Sequence, residues 1–166
     1  MLKFIPITAV ALMSMSAFAV QKDITVTANV DPTVEMLSAD GSALPTTMQM
    51  QYLPGVGLQT ASVNTKIFTN DKSHDLLIRL ASDSPSLTNQ TKPGAPEIPL
   101  KVSLGDMELT QEPTKLIAQN LFLGDLAEGS IAMPLSIAQA TPEVVEAGSY
   151  QGLVSVILTQ DAASGS

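Results

Sequence analysis

From Lys22 to Val30 the chain reads KDITVTANV and is closed by Asp31-Pro32. Apolar residues fall at Ile24, Val26, Ala28 and Val30 with Asp23, Thr25, Thr27 and Asn29 between them. A period of two of this kind makes a β-strand with one apolar face. Its place in the chain is what constrains the fold. Residues 1–19, MLKFIPITAVALMSMSAFA, read as a secretory signal peptide, with Lys3 near the start, an apolar run from Phe4 to Met15, and Ala17-Phe18-Ala19 as the cleavage site. The run is too short for a membrane-spanning helix, which takes about 20 apolar residues. Cleavage after Ala19 therefore leaves the apolar strand at the free leading end. An exposed, unpaired strand invites aggregation, so it must pair, either within its own sheet or with another molecule.

Removing the first 19 of 166 residues leaves 147, enough for one domain with a hydrophobic core. The mature chain has no cysteine, so packing or a partner must hold it together without the disulfides usual in secreted domains. Loss of Lys3 takes the formal net charge from −8 to −9. That balance argues against nucleic acid or an anionic membrane as a partner.

Past Pro32 the same alternation recurs in short runs. Thr33–Leu37 is a strand candidate ended by the Asp40-Gly41 turn, and Met48, Met50 and Tyr52 alternate with glutamines up to Pro54-Gly55. Val63–Thr69 and Asp75–Ala81, separated by the polar Asn70–Ser73, read as a hairpin. Ser82–Pro99 is rich in Ser, Pro, Thr and Asn and reads as a surface loop with room for a short extended piece. Ile98–Leu104 alternates cleanly to the Gly105-Asp106 turn, and Met107–Leu109 is a short return strand. Thr114–Leu126 suits either a short helix or an irregular apolar connection. Ile131, Met133, Leu135 and Ile137 alternate, but Pro134 among them predicts an edge strand or a bulge. Tyr150–Thr159 is the most β-prone run, apolar on both faces and so expected to be covered on both. The polar tail is expected to be disordered. Eight or nine short strands with turns between them predict an all-β, immunoglobulin-like antiparallel sandwich.

Catalytic and metal-binding patterns are missing. His74 is the single histidine; Ser73, His74 and Asp75 are neighbours on one turn, where side chains point apart and do not form a triad. Asp71 and Asp75 lack the spacing of a calcium loop, and Glu143 and Glu146 read as a solvated acidic loop. Asn89-Gln90-Thr91 has the glycosylation pattern but reads as an unmodified loop. Met36, Met48, Met50, Met107 and Met133 sit at core phases of strands, where packing explains them. With no nucleotide-binding fingerprint and no nucleophile elbow, neither an enzyme nor a cofactor is expected.

Four stretches carry a resemblance: KDITVTANVDPTV (22–34), SADGSALP (38–45), FTND (68–71) followed by LLIRLA, and AGSYQGLVSVILT (147–159). Together they resemble the major subunits of the class 5 fimbriae of the alternate chaperone-usher pathway, the group typified by colonization factor antigen I and including cable pili. The resemblance implies a pilin that forms the shaft of an adhesive fimbria. It implies an incomplete immunoglobulin-like domain whose missing strand comes from the next subunit. On this sequence the donor-strand extension is 20–32, with Ile24, Val26, Ala28 and Val30 as inserted side chains and Pro32 as a hinge; the pilin domain is 33–160 and the flexible tail 161–166. The implied partners are other copies of the chain, a periplasmic chaperone, an outer-membrane usher and a separate tip adhesin, on the way through the periplasm to the cell surface. A secreted β-sandwich that binds carbohydrate, or a tip adhesin, is the alternative, although the resemblance implies an additional binding domain in an adhesin.

Overall fold

Strands with one apolar and one polar face bury the apolar face only against a second layer, and this chain does so with two antiparallel sheets. The computed structural model describes residues 27–28 and 33–161. In chain order the strands are β1 (Val34–Ser38), β2 (Tyr52–Leu53), β3 (Gly57–Leu58), β4 (Ala61–Thr69), β5 (Leu76–Leu80), β6 (Ser86–Asn89), β7 (Ile98–Leu104), β8 (Met107–Leu109), β9 (Thr114–Leu116), β10 (Met133–Gln139), β11 (Tyr150–Gln151) and β12 (Val156–Gln160). One helical turn, α1 (Ala118–Leu121), and a 3₁₀ turn at Leu126–Glu128 complete the elements. The larger sheet runs β1-β4-β10-β7-β6-β11 with β8 beside β7; the smaller runs β12-β5-β9, and β2 with β3 forms a separate hairpin. All pairings are antiparallel.

The core lies between the two sheets. Ile67 of β4, Val102 and Leu104 of β7, and Met133 and Leu135 of β10 meet Leu76, Ile78 and Leu80 of β5 and Leu116 of β9, with Leu121 and Phe122 closing one side. Ile67, Leu76 and Ile78 have no accessible surface. Apart from the Asn89 amide nitrogen, which has no partner among the described residues, buried polar side chains are satisfied locally: Thr65 Oγ1 donates to the Met133 carbonyl at 2.8 Å, and the Ile67 N–H donates to Ser130 Oγ at 2.9 Å. Such pairing is required because an unmatched buried polar group costs about 1–3 kcal/mol.

The alternation placed most strands correctly, but five expectations change. Val63–Thr69 and Asp75–Ala81 do not form a hairpin: β4 pairs β1 and β10, whereas β5 pairs β12 and β9. Residues 70–75 carry the chain from one sheet to the other, so the two apolar faces confront each other across the core. Pro134 is in a central strand, not at an edge. Its carbonyl accepts from the Gly105 N–H at 2.8 Å, on the β7 side. In an antiparallel strand a residue's N and O point the same way, so the missing N–H faces the Gly105 turn, where the β7 ladder has already ended.

Met48 and Met50 are half-buried, as the alternation implies, but the chain makes no ladder there, and only Tyr52–Leu53 pairs. Tyr150–Thr159 is split. Tyr150 and Gln151 pair with β6 in the larger sheet, and Val156–Gln160 pairs with β5 in the smaller. Gly152 makes the switch possible, since a Cβ there would lie 2.1 Å from the Ser86 carbonyl oxygen. The run is not covered on both faces either: Leu153 is 80% exposed.

Candidate functional site

Among the edge strands of the two sheets, the first and last strands of the described domain, β1 and β12, come together along one side of the sandwich. Among the described residues β1 pairs only with β4, and β12 pairs only with β5. Each therefore presents one row of backbone N–H and C=O groups with no ladder partner, the condition under which a further strand can be added. Cross-strand partners share a sheet face, and the register shows what lines the space between. Val34, Met36 and Ser38 lie opposite Thr69, Ile67 and Thr65; Val156, Leu158 and Gln160 lie opposite Leu80, Ile78 and Leu76.

All six partners are buried. The lip residues Val34, Met36, Val156 and Leu158, on the same faces and packed on the same core, are only half-buried, as is Val154 just before β12. Among the described residues the sandwich is thus open along a groove whose floor is core and whose lips are β1 and β12. Cα atoms of the lips approach within 8 Å of each other. Strands that flank a third stand two ladder spacings apart, about 9–10 Å, so a strand entering this groove has to part the lips.

The lips run in opposite directions, because Val34 and Gln160 both lie at the end marked by residues 69–75. The Thr33 N–H donates to Asn70 Oδ1 at 2.9 Å. Gln160 Nε2 donates to Thr69 Oγ1 at 3.3 Å, and the Asp161 N–H to the Asp75 carbonyl at 2.7 Å. Lys115 Nζ adds an ion pair to Asp161 at 2.5 Å and a longer one to Asp75 at 3.7 Å. Gln160 and Asp161 are therefore fixed, and the expected tail begins beyond them; residues 162–166 lie outside the described residues.

His74 belongs to this loop. Its Nδ1 is 2.8 Å from Asp71 Oδ2, while Ser73 Oγ donates to Asp71 Oδ1 at 2.5 Å. The histidine's carboxylate partner is Asp71, not Asp75, and Asp75 instead accepts the Ala118 N–H at 3.0 Å. Hydrogen bonds from the Ser73 side chain and N–H, with a smaller contribution from His74, lower the Asp71 pKa to about 2. Contrary to the expectation that they point apart, Ser73 Oγ also lies 3.1 Å from His74 Nδ1; this is the same ring nitrogen that faces Asp71, so the three side chains brace one turn and do not form a relay, which uses both ring nitrogens. Glu146 pairs with Lys92 across two loops. Among the described residues no cluster of His, Asp or Glu could hold a metal ion. Asn89 is 9% exposed, and its Oδ1 accepts from the Thr91 N–H and hydroxyl and the Lys92 N–H. Its amide nitrogen is buried, away from any glycosylating enzyme.

Of the residues singled out for insertion, Ile24, Val26, Val30 and Pro32 lie outside the described residues, and Ala28 is exposed. The strand alternation alone did not mark Val34, Met36, Val154, Val156 and Leu158 as groove residues, because it reveals which face is apolar and not which strand is left at an edge.

Residues 20–159 match the CS1 type fimbrial major subunit family. The chain belongs to that family. It is 35% identical over 159 residues to a CS1 fimbrial subunit of Escherichia coli, covering 92% of each chain. It is also 35% identical over 165 residues to a CFA/I fimbrial subunit of Escherichia coli O78:H11 (strain H10407 / ETEC), covering 92% of this chain and 95% of that one. Among solved structures it is similar to the CooA pilin subunit from enterotoxigenic Escherichia coli, with 32% identity and a TM-score of 0.65 over 77% of this chain and 87% of that one. A chain from a chaperone–tip adhesin complex of CFA/I fimbriae biogenesis shares the fold, with a TM-score of 0.53 at 14% identity, over 78% of this chain and 42% of that one. The open groove is thus a feature of a fimbrial major subunit with an immunoglobulin-like sandwich.

Proposed function

We propose that this protein is the repeating shaft subunit of an adhesive fimbria, and that the groove between β1 and β12 accepts the leading strand of the next subunit. The half-burial of Val34, Met36, Val156 and Leu158 beside fully covered partners carries the reading. Ile24, Val26, Ala28 and Val30 supply a complementary row with the right period. At about 1.5–3 kcal/mol for each large aliphatic side chain buried, Ile24, Val26 and Val30 contribute roughly 5–9 kcal/mol before ordering costs are counted.

Donor and acceptor are different surfaces of one molecule, so the contact does not close on itself and repeats into a filament. The segment 20–32 is the extension and 33–160 the acceptor domain. Pro32 joins them through an X-Pro bond, the one peptide bond for which both isomers are close in energy, and so serves as the hinge. Export brings the subunit to the periplasm, where its open groove needs a chaperone until an usher passes it to the growing shaft behind a tip adhesin. The role is mechanical, with no catalysis. A carbohydrate-binding module is not favoured, because the relatives that this chain matches along its length are fimbrial major subunits.

The test is deletion of residues 20–30 and, separately, replacement of Ile24 and Val26 by aspartate. Export continues and surface fimbriae disappear in both cases. Fimbriae of normal length from either variant refute the assignment of this strand.

A further inference from the structure

The FTND motif, Phe68 to Asp71, has no part in the groove's apolar lining, yet it lies where both lips end. One loop holds both. Asn70 Oδ1 accepts the N–H of Thr33 at the start of β1. Thr69 Oγ1 and the Asp71 carbonyl accept from Gln160 Nε2 at the end of β12, at 3.3 and 3.4 Å. The loop is itself braced: Asp71 Oδ1 accepts from the Ser73 N–H and hydroxyl, and Thr69 Oγ1 exchanges hydrogen bonds with the Asp71 backbone, 3.1 Å each way.

At the other end the bonds run within each lip's own sheet. The Ala39 N–H goes to the Asn64 carbonyl beside β4, and the Ala81 N–H to the Ser155 carbonyl beside β5. Among the described residues the groove is therefore tied at one end and carries no such tie at the other. Its core-facing row on the β12 side reads Val154, Val156, Leu158, Gln160, three apolar positions and then a polar one at the tied end.

We propose that the Thr69–Asp75 loop is a clasp that fixes the register of the inserted strand, seating the residue Lys22 of the entering copy beside Gln160. This deepens the groove reading and rests on it. On the entering strand the inserted row continues backward from Ile24 to Lys22 and forward from Val30 to Pro32. Lys22 is a hydrogen-bond donor that an amide oxygen and the carboxylates of Asp71, Asp75 and Asp161 can accept; Pro32 offers no donor at all. Matching polar to polar sets Ile24 beside Leu158, Val26 beside Val156 and Ala28 beside Val154. The entering strand then runs antiparallel to β12, the pairing that is slightly the more stable per residue. A strand shifted by two residues toward the clasp would drive Ile24 against Gln160 and the tied ends, and one shifted away would leave Leu158 facing Lys22.

The absence of native cysteine makes the register measurable by disulfide trapping in the full chain. Fimbriae carrying Ile24→Cys and Leu158→Cys are expected to cross-link subunit to subunit, at least tenfold more than those carrying Val26→Cys or Val30→Cys with Leu158→Cys. Adding Asn70→Ala with Gln160→Ala spreads the cross-link to the Val26 pair. Asn70→Asp, which keeps an acceptor for the Thr33 N–H, restores the single register. If the Ile24 pair remains the sole product after the clasp is removed, the clasp has no role while the groove stands. Preferential cross-linking of the Val30 pair overturns the polarity. No cross-link from any pair, in subunits that fold, overturns the groove reading itself and the clasp with it.

Discussion

Asp71 shows how a single turn residue can matter to the stability of a fold. Its carboxylate braces the loop that joins the two sheets, and its pKa falls from 3.8 to about 2. A carboxylate whose folded pKa is depressed contributes stability above its ordinary pKa and loses it as pH falls through the folded value. The contribution is complete above about pH 4 and fades toward about pH 2. Thermal melts of the subunit over that range are expected to show a steeper acid loss for the wild type than for Asp71→Asn, with the two curves converging at the acid end. Asp71→Asn melts below the wild type near neutral pH. Parallel curves through the acid range would mean that the turn's bonds do not favour the charged form.

Among the elements, β5 and β12 pair with one another but have different standing. Ile78, central in β5, has no accessible surface, whereas its cross-strand partner Leu158 is half-buried at the groove. Ile78→Ala is expected to destabilise the isolated subunit by about 2–5 kcal/mol, and Leu158→Ala by clearly less, as read from chemical denaturation. If the groove takes the next subunit's strand, as proposed, the order changes in the assembled fibre: Leu158→Ala weakens the subunit contact, seen as a lower temperature of fibre dissociation. Equal costs in the isolated subunit would place Leu158 in a finished core.

The same elements show what sequence can convey. Alternation is a local property of side chains, and it located Ile98–Leu104 to the residue and β1, β4 and β10 to within a few residues. Sheet membership depends on contacts far apart in the chain. The β4–β5 connection therefore looked like a hairpin, and Pro134 looked incompatible with a central strand until the Gly105 turn was seen to face its missing N–H. The break in Tyr150–Thr159 was hidden for a similar reason, since Gly152 is required by the backbone of Ser86, distant in sequence. At the site, the leading strand was proposed from its pattern and its place after the signal peptide, both local properties, and it lies almost wholly outside the described residues. The acceptor was not, because an edge is defined by the strand that is absent.

For the whole molecule, the larger and smaller sheets share a common core, and among the described residues the core-facing side chains of β1 and β12 are left half-buried. A cysteine-free secreted domain has no covalent staple to compensate for that opening, so the proposed function couples stability to assembly: a strand from the next subunit would complete the core and link the subunits at once. The most direct measurement is the melting temperature of a subunit lacking residues 20–30, with and without a synthetic peptide of that segment. A peptide that occupies the groove stabilises the folded state by mass action, about 2.7 kcal/mol at a hundredfold excess over its dissociation constant, and the melting temperature rises with peptide concentration. A peptide with Ile24 and Val26 replaced by aspartate leaves it unchanged. A melting temperature indifferent to the native peptide at all concentrations would contradict the account, since a sandwich already complete gains nothing from another strand.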